Sequence, residues 1–293
     1  MGKIKAYIVD NNVLNRHMIT NTIKKEGDIL AVLSSNCENQ RSIISEIGNI
    51  NPNVVLIGIN SAESKNFQLF RSVRQKFKSL PVIVLIPKNP EGAIAGIQAL
   101  KEGAVEIITL PENSSTILLA KDHLKKRLIS FISSIPNINV DLLSGDKSKT
   151  DYQINPKLTV NRSVNPVDLV IIAGCTGGIR SLFSLIKELP SDLSVPVLVV
   201  QHLPYNFTGQ LAEELNKISK LRVDEADHGD LIVPGRVLIA PGGYHINIKN
   251  DGTDETIALH RGPREQKCRP SIDVLIRSAR YVYGGNLLTV FLS

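Results

Sequence analysis

Residues 169–178, LVIIAGCTGG, run an unbroken apolar stretch straight into a glycine-rich turn, and few folds accommodate both. Leu169 to Ile172 show no polar alternation, the pattern of a strand buried on both faces in a parallel sheet. Gly174, Gly177 and Gly178 then permit a tight turn that bares backbone N–H groups. Apolar side chains next recur at helical spacing (Leu182, Phe183, Leu185, Ile186, Leu189) up to Pro190, which predicts a helix over Ile179 to Leu189. A side chain at position 175 or 176 thus stands where a strand hands over to a helix N-terminus. Unpaired N–H groups and the helix dipole favour negative charge there. From this segment alone three uses stay open: a nucleophile facing an oxyanion pocket, a phosphate cradle, or close packing.

A second strand narrows the choice. Pro196 to Val200 is another buried parallel-type run, and it ends on Gln201-His202. A dinucleotide site needs G-x-G-x-x-G and an acid at the tip of the next strand. Here the glycines read G-C-T-G-G and no acid follows Val200. In an open α/β sheet the carboxyl ends of parallel strands share one rim, so Cys175 and His202 are candidates for a nucleophile and its base.

Residues 167–293 resemble the catalytic domain of the chemotaxis protein-glutamate methylesterases. The resemblance rests on Ala173-Gly174-Cys175-Thr176-Gly177-Gly178, on Gln201-His202-Leu203-Pro204 with Asn206-Phe207-Thr208, and on Leu211-Ala212-Glu213. It continues through Val223-Asp224-Glu225-Ala226, Gly229-Asp230, Pro234-Gly235, Ile239-Ala240-Pro241-Gly242 with His245, and Arg269-Pro270-Ser271-Ile272-Asp273. The resemblance implies hydrolysis of glutamyl methyl esters on methyl-accepting chemoreceptors, and in the family also deamidation of receptor glutamines. It implies Cys175 as nucleophile, in the place of the family's serine, and His202 as base. It also implies Thr176 and Gly177 at the oxyanion pocket, and Arg269 and Ser271 beside the site as substrate or rim residues. Asp273 and His245 read as structural, and Cys268 as a buried thiol.

Residues 1–135 alternate strands and helices as a doubly wound sheet does. Strands are expected over 4–9, 29–34, 54–59, 82–86 and 105–109, with helices over 14–25, 40–47, 67–77, 91–101 and 115–133, the last capped by Ser114 or Ser115. This half resembles the response-regulator receiver, a flavodoxin-like fold. Pro136 to Asn165, rich in Ser, Asp, Lys and Asn, reads as a linker, so the expected organisation is receiver-like 1–135, linker 136–166, and a second doubly wound α/β domain over 167–293.

The receiver resemblance fails at its chemistry. A working receiver carries a phosphoacceptor Asp where this chain has Gly58, and two acids for Mg²⁺ where it has Asp10 and Asn11. Its Ser/Thr and Lys positions hold Ile86 and Leu110 (before Pro111). Glycine cannot accept a phosphoryl group, so no phosphoacceptor is expected, and Asp10 reads as a turn acid. In the second half, the family's His-orienting aspartate follows the strand matching Leu288–Leu292, whereas this sequence ends at Ser293. The catalytic domain is therefore expected to lack its C-terminal end. The alternative function is a catalytically impaired scaffold that binds chemoreceptors or the chemotaxis histidine kinase.

Composition excludes other classes. No apolar run reaches the roughly 18 residues of a spanning helix, and Lys3 and Lys5 lead into an ordinary strand rather than a signal peptide. Cys37, Cys175 and Cys268 form neither metal spacing nor a disulfide framework. No metal, cofactor or membrane insertion is expected, and the location implied is cytoplasmic. The formal net charge of +6 falls on residues 1–135, but its lysines are dispersed and aromatics few, so nucleic acid is not an expected partner. His17, His123, His228 and His260 carry no pattern.

Overall fold

A computed structural model describes residues 3–24, 27–37, 39–110, 125, 127–133, 135 and 166–292. The chain divides into two compact units. The first contains β1 (Ile4–Val9), α1 (Val13–Lys24), β2 (Ile29–Leu33), α2 (Gln40–Ile50), β3 (Val54–Gly58), α3 (Lys65–Lys76), β4 (Val82–Pro87), α4 (Pro90–Lys101) and β5 (Glu106–Leu110). Its strands pair in parallel in the order β2-β1-β3-β4-β5, the doubly wound order of receiver-like folds. Every residue of β3 is buried, as its unbroken apolar run demands. One face of the sheet meets helical residues 127–133 through Leu128 and Ile132, which pack with Ala6, Ile8, Leu56 and Leu85.

Local chemistry sets the helix limits. The Asn39, Ser64 and Asn89 side chains accept from the first-turn N–H groups of α2, α3 and α4. The Ser64 cap starts α3 two residues ahead of the apolar Phe67. Asn51 in the left-handed region (φ 47°) donates its N–H to Ile47 O, so α2 runs on to Ile50 rather than stopping at Ile47. The expected cap at Ser114 or Ser115, the first part of its helix, His123, Pro111 and the linker over 136–165 lie outside the described residues.

The second unit contains β6 (Leu169–Gly174), a 3₁₀ turn (Thr176–Gly178), α5 (Ile179–Glu188), β7 (Val197–Gln201), α6 (Phe207–Asn216), β8 (Arg222–Glu225), β9 (Arg236–Ile239), β10 (His245–Asn250), β11 (Glu255–His260), α7 (Ile272–Tyr283) and β12 (Leu287–Leu292). Five strands form a second parallel sheet, β12-β6-β7-β9-β8. Both units are thus α/β with parallel sheets. Pro190 forces Leu189 into extended backbone (ψ 134°), so α5 ends at Glu188, one residue before the expected limit. The antiparallel hairpin β10-β11 is absent from the sequence reading, although Asp251-Gly252 at its tip is a hairpin signal. Leu275 and Ala279 of α7 pack with Ile246 and Ile248 of β10 and Ile257 of β11, and with Leu169 and Leu198 of the sheet.

Candidate active site

The register of β6 and β7 builds the site. Gly174 is paired with Gln201, so the next residue on each strand, Cys175 and His202, leaves the sheet at neighbouring tips. The His202 N–H donates to Gly174 O at 3.2 Å, which holds the two strand ends together past the last sheet pair. Cys175 is exposed, as a nucleophile must be. Its carbonyl oxygen accepts the Gly178 N–H at 2.8 Å and closes the 3₁₀ turn. The N-cap of α5 is Gly178, with no side-chain cap bond, because the 3₁₀ turn stands between Cys175 and the helix. Gly177 is the exposed middle of the turn and Gly178 is buried. A Cβ on Gly178 would lie 2.8 Å from the Leu292 carbonyl, so this glycine is required by the close approach of β12.

Gln201 is a residue that sequence reasoning passed over. It is fully buried (0% exposed), and its Nε2 donates to the Cys175 carbonyl at 2.7 Å. The signal was present as the one polar side chain closing an otherwise apolar strand, Val197 to Gln201.

His202 is half-buried, and that burial lowers its pKa from the ordinary 6.5, so it is neutral at neutral pH, the form a base requires. Its Nδ1 faces Cys268 Sγ at 3.9 Å. Cys268 is presented by a closed turn in which the Cys268 N–H donates to Glu265 O (2.8 Å) and the Glu265 N–H to Cys268 O (3.2 Å). Sequence distance hid this contact, since 66 residues separate the two partners.

The remaining candidates have partners of their own. Arg269 Nη1 donates to the carbonyls of Arg261 (3.1 Å) and Gly262 (2.9 Å), an arrangement that orders the rim loop. Ser271 is 3% exposed, and its N–H donates to His245 Nδ1 at 3.2 Å. His245, 1% exposed, places Nε2 on Pro263 O at 2.9 Å and stacks on His260. With one nitrogen accepting and the other donating, and its pKa lowered by burial, it is a neutral strut between loops. Asp273 lies in the first turn of α7, where its charge suits the helix dipole. Asp230 is paired with Arg236 at 3.0 Å. His228 Nδ1 accepts the Leu259 N–H at 3.1 Å.

At the corresponding rim of the first unit, Asp10 fills the space that a side chain at position 58 would need. A Cβ on Gly58 would lie 2.1 Å from Asp10 Oδ2. Asp10 is 5% exposed, and its oxygens accept the Asn12 N–H (2.7 Å) and Asn15 Nδ2 (3.2 Å). Burial raises its pKa despite these bonds. Among the described residues no group of three His, Cys, Asp or Glu side chains is placed to hold a metal, and no helix is long and apolar enough to cross a membrane.

The family described as CheB methylesterase matches residues 170–293. A protein-glutamate methylesterase/protein-glutamine glutaminase of Trichodesmium erythraeum is 33% identical over 293 residues, spanning 100% of this chain and 83% of that protein. A protein of the same name from Archaeoglobus fulgidus is 30% identical over 295 residues, spanning 99% of this chain and 81% of its own length. Among solved structures, the Thermotoga maritima CheB methylesterase catalytic domain is 35% identical, covering 43% of this chain and 67% of that one with a TM-score of 0.42. The response regulator domain of Thermotoga maritima CheB is 22% identical, covering 47% and 98% with a TM-score of 0.39.

Proposed function

Because this chain belongs to the protein-glutamate methylesterase/protein-glutamine glutaminase family of hydrolases, we propose that it removes methyl groups from glutamyl methyl esters of chemoreceptors, with Cys175 as nucleophile and His202 as base. One observation carries the reading. The Gly174–Gln201 register brings an exposed thiol and a neutral imidazole to adjacent strand tips at the mouth of a helical turn.

The chemistry follows from these groups. The His202 imidazole takes the Cys175 thiol proton as sulfur attacks the γ-carbonyl carbon of the ester. The carbonyl oxygen becomes an oxyanion, stabilised by the N–H groups of Thr176 and Gly177 in the turn. Collapse breaks the C–O bond, and the imidazolium returns its proton to the departing methoxide as methanol. Water, deprotonated by His202, then attacks the thioester and releases glutamate with the thiol restored. An amide in place of the ester follows the same course with ammonia as leaving group. With Nδ1 facing Cys268, Nε2 is the nitrogen that exchanges the proton.

The same contact favours a second reading. A thiol, rather than a carboxylate, faces Nδ1, which suits a scaffold that binds chemoreceptors or the chemotaxis kinase without turnover. Methanol release from a methylated receptor separates the two. The full chain is expected to release methanol and Cys175→Ala to release none; equal, background-level release from both establishes the scaffold instead.

A further inference from the structure

Gln201 occupies a place that packing alone does not explain. It ends a strand whose other residues are all apolar and buried, yet it carries a fully buried amide. The side chain reaches under the elbow and Nε2 donates to the Cys175 carbonyl at 2.7 Å. That oxygen also accepts the Gly178 N–H at 2.8 Å, so it is held from two directions. Gly174 makes room for the reach, since a Cβ there would lie 2.5 Å from Gln201 Oε1. Oε1 itself is buried with no hydrogen-bond partner among the described residues. A strand that packed for stability alone would hold a Leu or Met here. The amide is retained for its N–H.

What that N–H controls is the orientation of the Cys175–Thr176 peptide. In a trans peptide the carbonyl and the following N–H point in opposite directions. Drawing the Cys175 carbonyl inward, toward buried Gln201 and Gly178, therefore aims the Thr176 N–H outward, on the side of the exposed thiol. The backbone N–H of His202 adds a second tie from the same strand end, to Gly174 O. We propose that Gln201 is a positioning residue of this site: its amide fixes the elbow peptide so that the Thr176 N–H faces the developing oxyanion. The proposal rests on the reading of Cys175 as nucleophile, and it assigns Gln201 no direct contact with substrate.

The test compares two reactions of one thiol in the full chain. Iodoacetamide alkylates sulfur by displacement at a saturated carbon and creates no oxyanion. p-Nitrophenyl acetate acylates it through a tetrahedral oxyanion. In Gln201→Met, which keeps length and burial but cannot donate, the maximal rate of Cys175 acylation is expected to fall about 10²-fold with the half-saturating ester concentration unchanged. Alkylation of Cys175 is expected to stay within about twofold of the parent chain, since it draws on none of this stabilisation. Unchanged acylation overturns the proposal. So does a parallel fall in both reactions, which marks Gln201 as a support of the fold. A measurement on the unsubstituted chain serves if Gln201→Met does not fold. Capture of Cys175 by a trifluoromethyl ketone gives a hemithioketal oxyanion, and the Thr176 amide proton is expected to shift downfield on its formation. A Thr176 amide that stays in place refutes the alignment. Failure of the underlying reading has a different signature: Cys175 of the parent chain is then alkylated no faster than Cys37 and is not acylated at all.

Discussion

Asp10 and Gly58 share one volume. With only 2.1 Å between an added Cβ and Asp10 Oδ2, Gly58→Ala must displace a buried, hydrogen-bonded carboxylate. Overpacking of this kind costs about 1–3 kcal/mol. In an Asp10→Ala background the obstruction is gone, and the cost of Gly58→Ala is expected to shrink, as a urea-unfolding double-mutant cycle would read. Equal costs in the two backgrounds would show that the residues do not compete. The second residue-scale consequence concerns protons. Burial holds the folded-state pKa of His202 below 6.5, so below that value the unfolded chain binds the proton more readily. Stability from this group is fully present above pH 6.5 and declines as pH falls toward the folded pKa. His245 acts with the same sign. His202→Gln is therefore expected to flatten the fall of Tm below pH 6.5, and an unaltered Tm profile would contradict the burial argument.

At the scale of elements, glycines of one composition do opposite work. Gly48 lies on the exposed face of α2, where an added Cβ meets only the Phe77 ring at 4.0 Å. Alanine there restricts the unfolded chain and favours the helix, so Gly48→Ala is expected to stabilise by about 0.5–1 kcal/mol. Gly178 closes the 3₁₀ turn after Cys175, and its added Cβ would press on the Leu292 backbone at 2.8 Å. Gly178→Ala is expected to destabilise by about 1–3 kcal/mol and to loosen β12 from the turn. Thermal melts with hydrogen exchange at the β12–β6 pairs would check both signs. The elements themselves were legible wherever one chemistry dominated. Asn and Ser caps, proline stops and unbroken apolar runs each mark a local boundary. β10 and β11 were less legible because their burial is irregular, partly against α7 and partly toward solvent, so neither a clean alternation nor an apolar run results.

At the scale of the whole molecule, a receiver-like unit precedes the methylesterase-family unit, and the receiver resemblance implies that the groups through which a receiver is switched are replaced. By that resemblance Gly58 matches the acceptor position, Asn11 lies beside Asp10, and Ile86 and Leu110 match the remaining two. Incubation with acetyl phosphate and Mg²⁺ is expected to leave the intact mass and the methanol-release rate unchanged. A phosphorylated species would show that another residue takes the acceptor role. The net charge of +6 carried by residues 1–135 is a property of dispersed lysines and arginines in a stretch with few aromatic residues.

The two parallel sheets, the strand–turn–helix that carries Cys175 and the strand tip that carries His202 are legible from the residues alone. Each of these is written in contiguous residues, through apolar runs, glycines and proline stops. The tertiary structure alone decided what meets at the rim. Cys268 reaches His202 across 66 residues, Gln201 reaches the Cys175 carbonyl across 26, and Asp10 moves into the space left by Gly58. Those contacts depend on sheet order, register and side-chain volume; a polar residue closing an apolar strand marks Gln201, but nothing local names the partner it reaches.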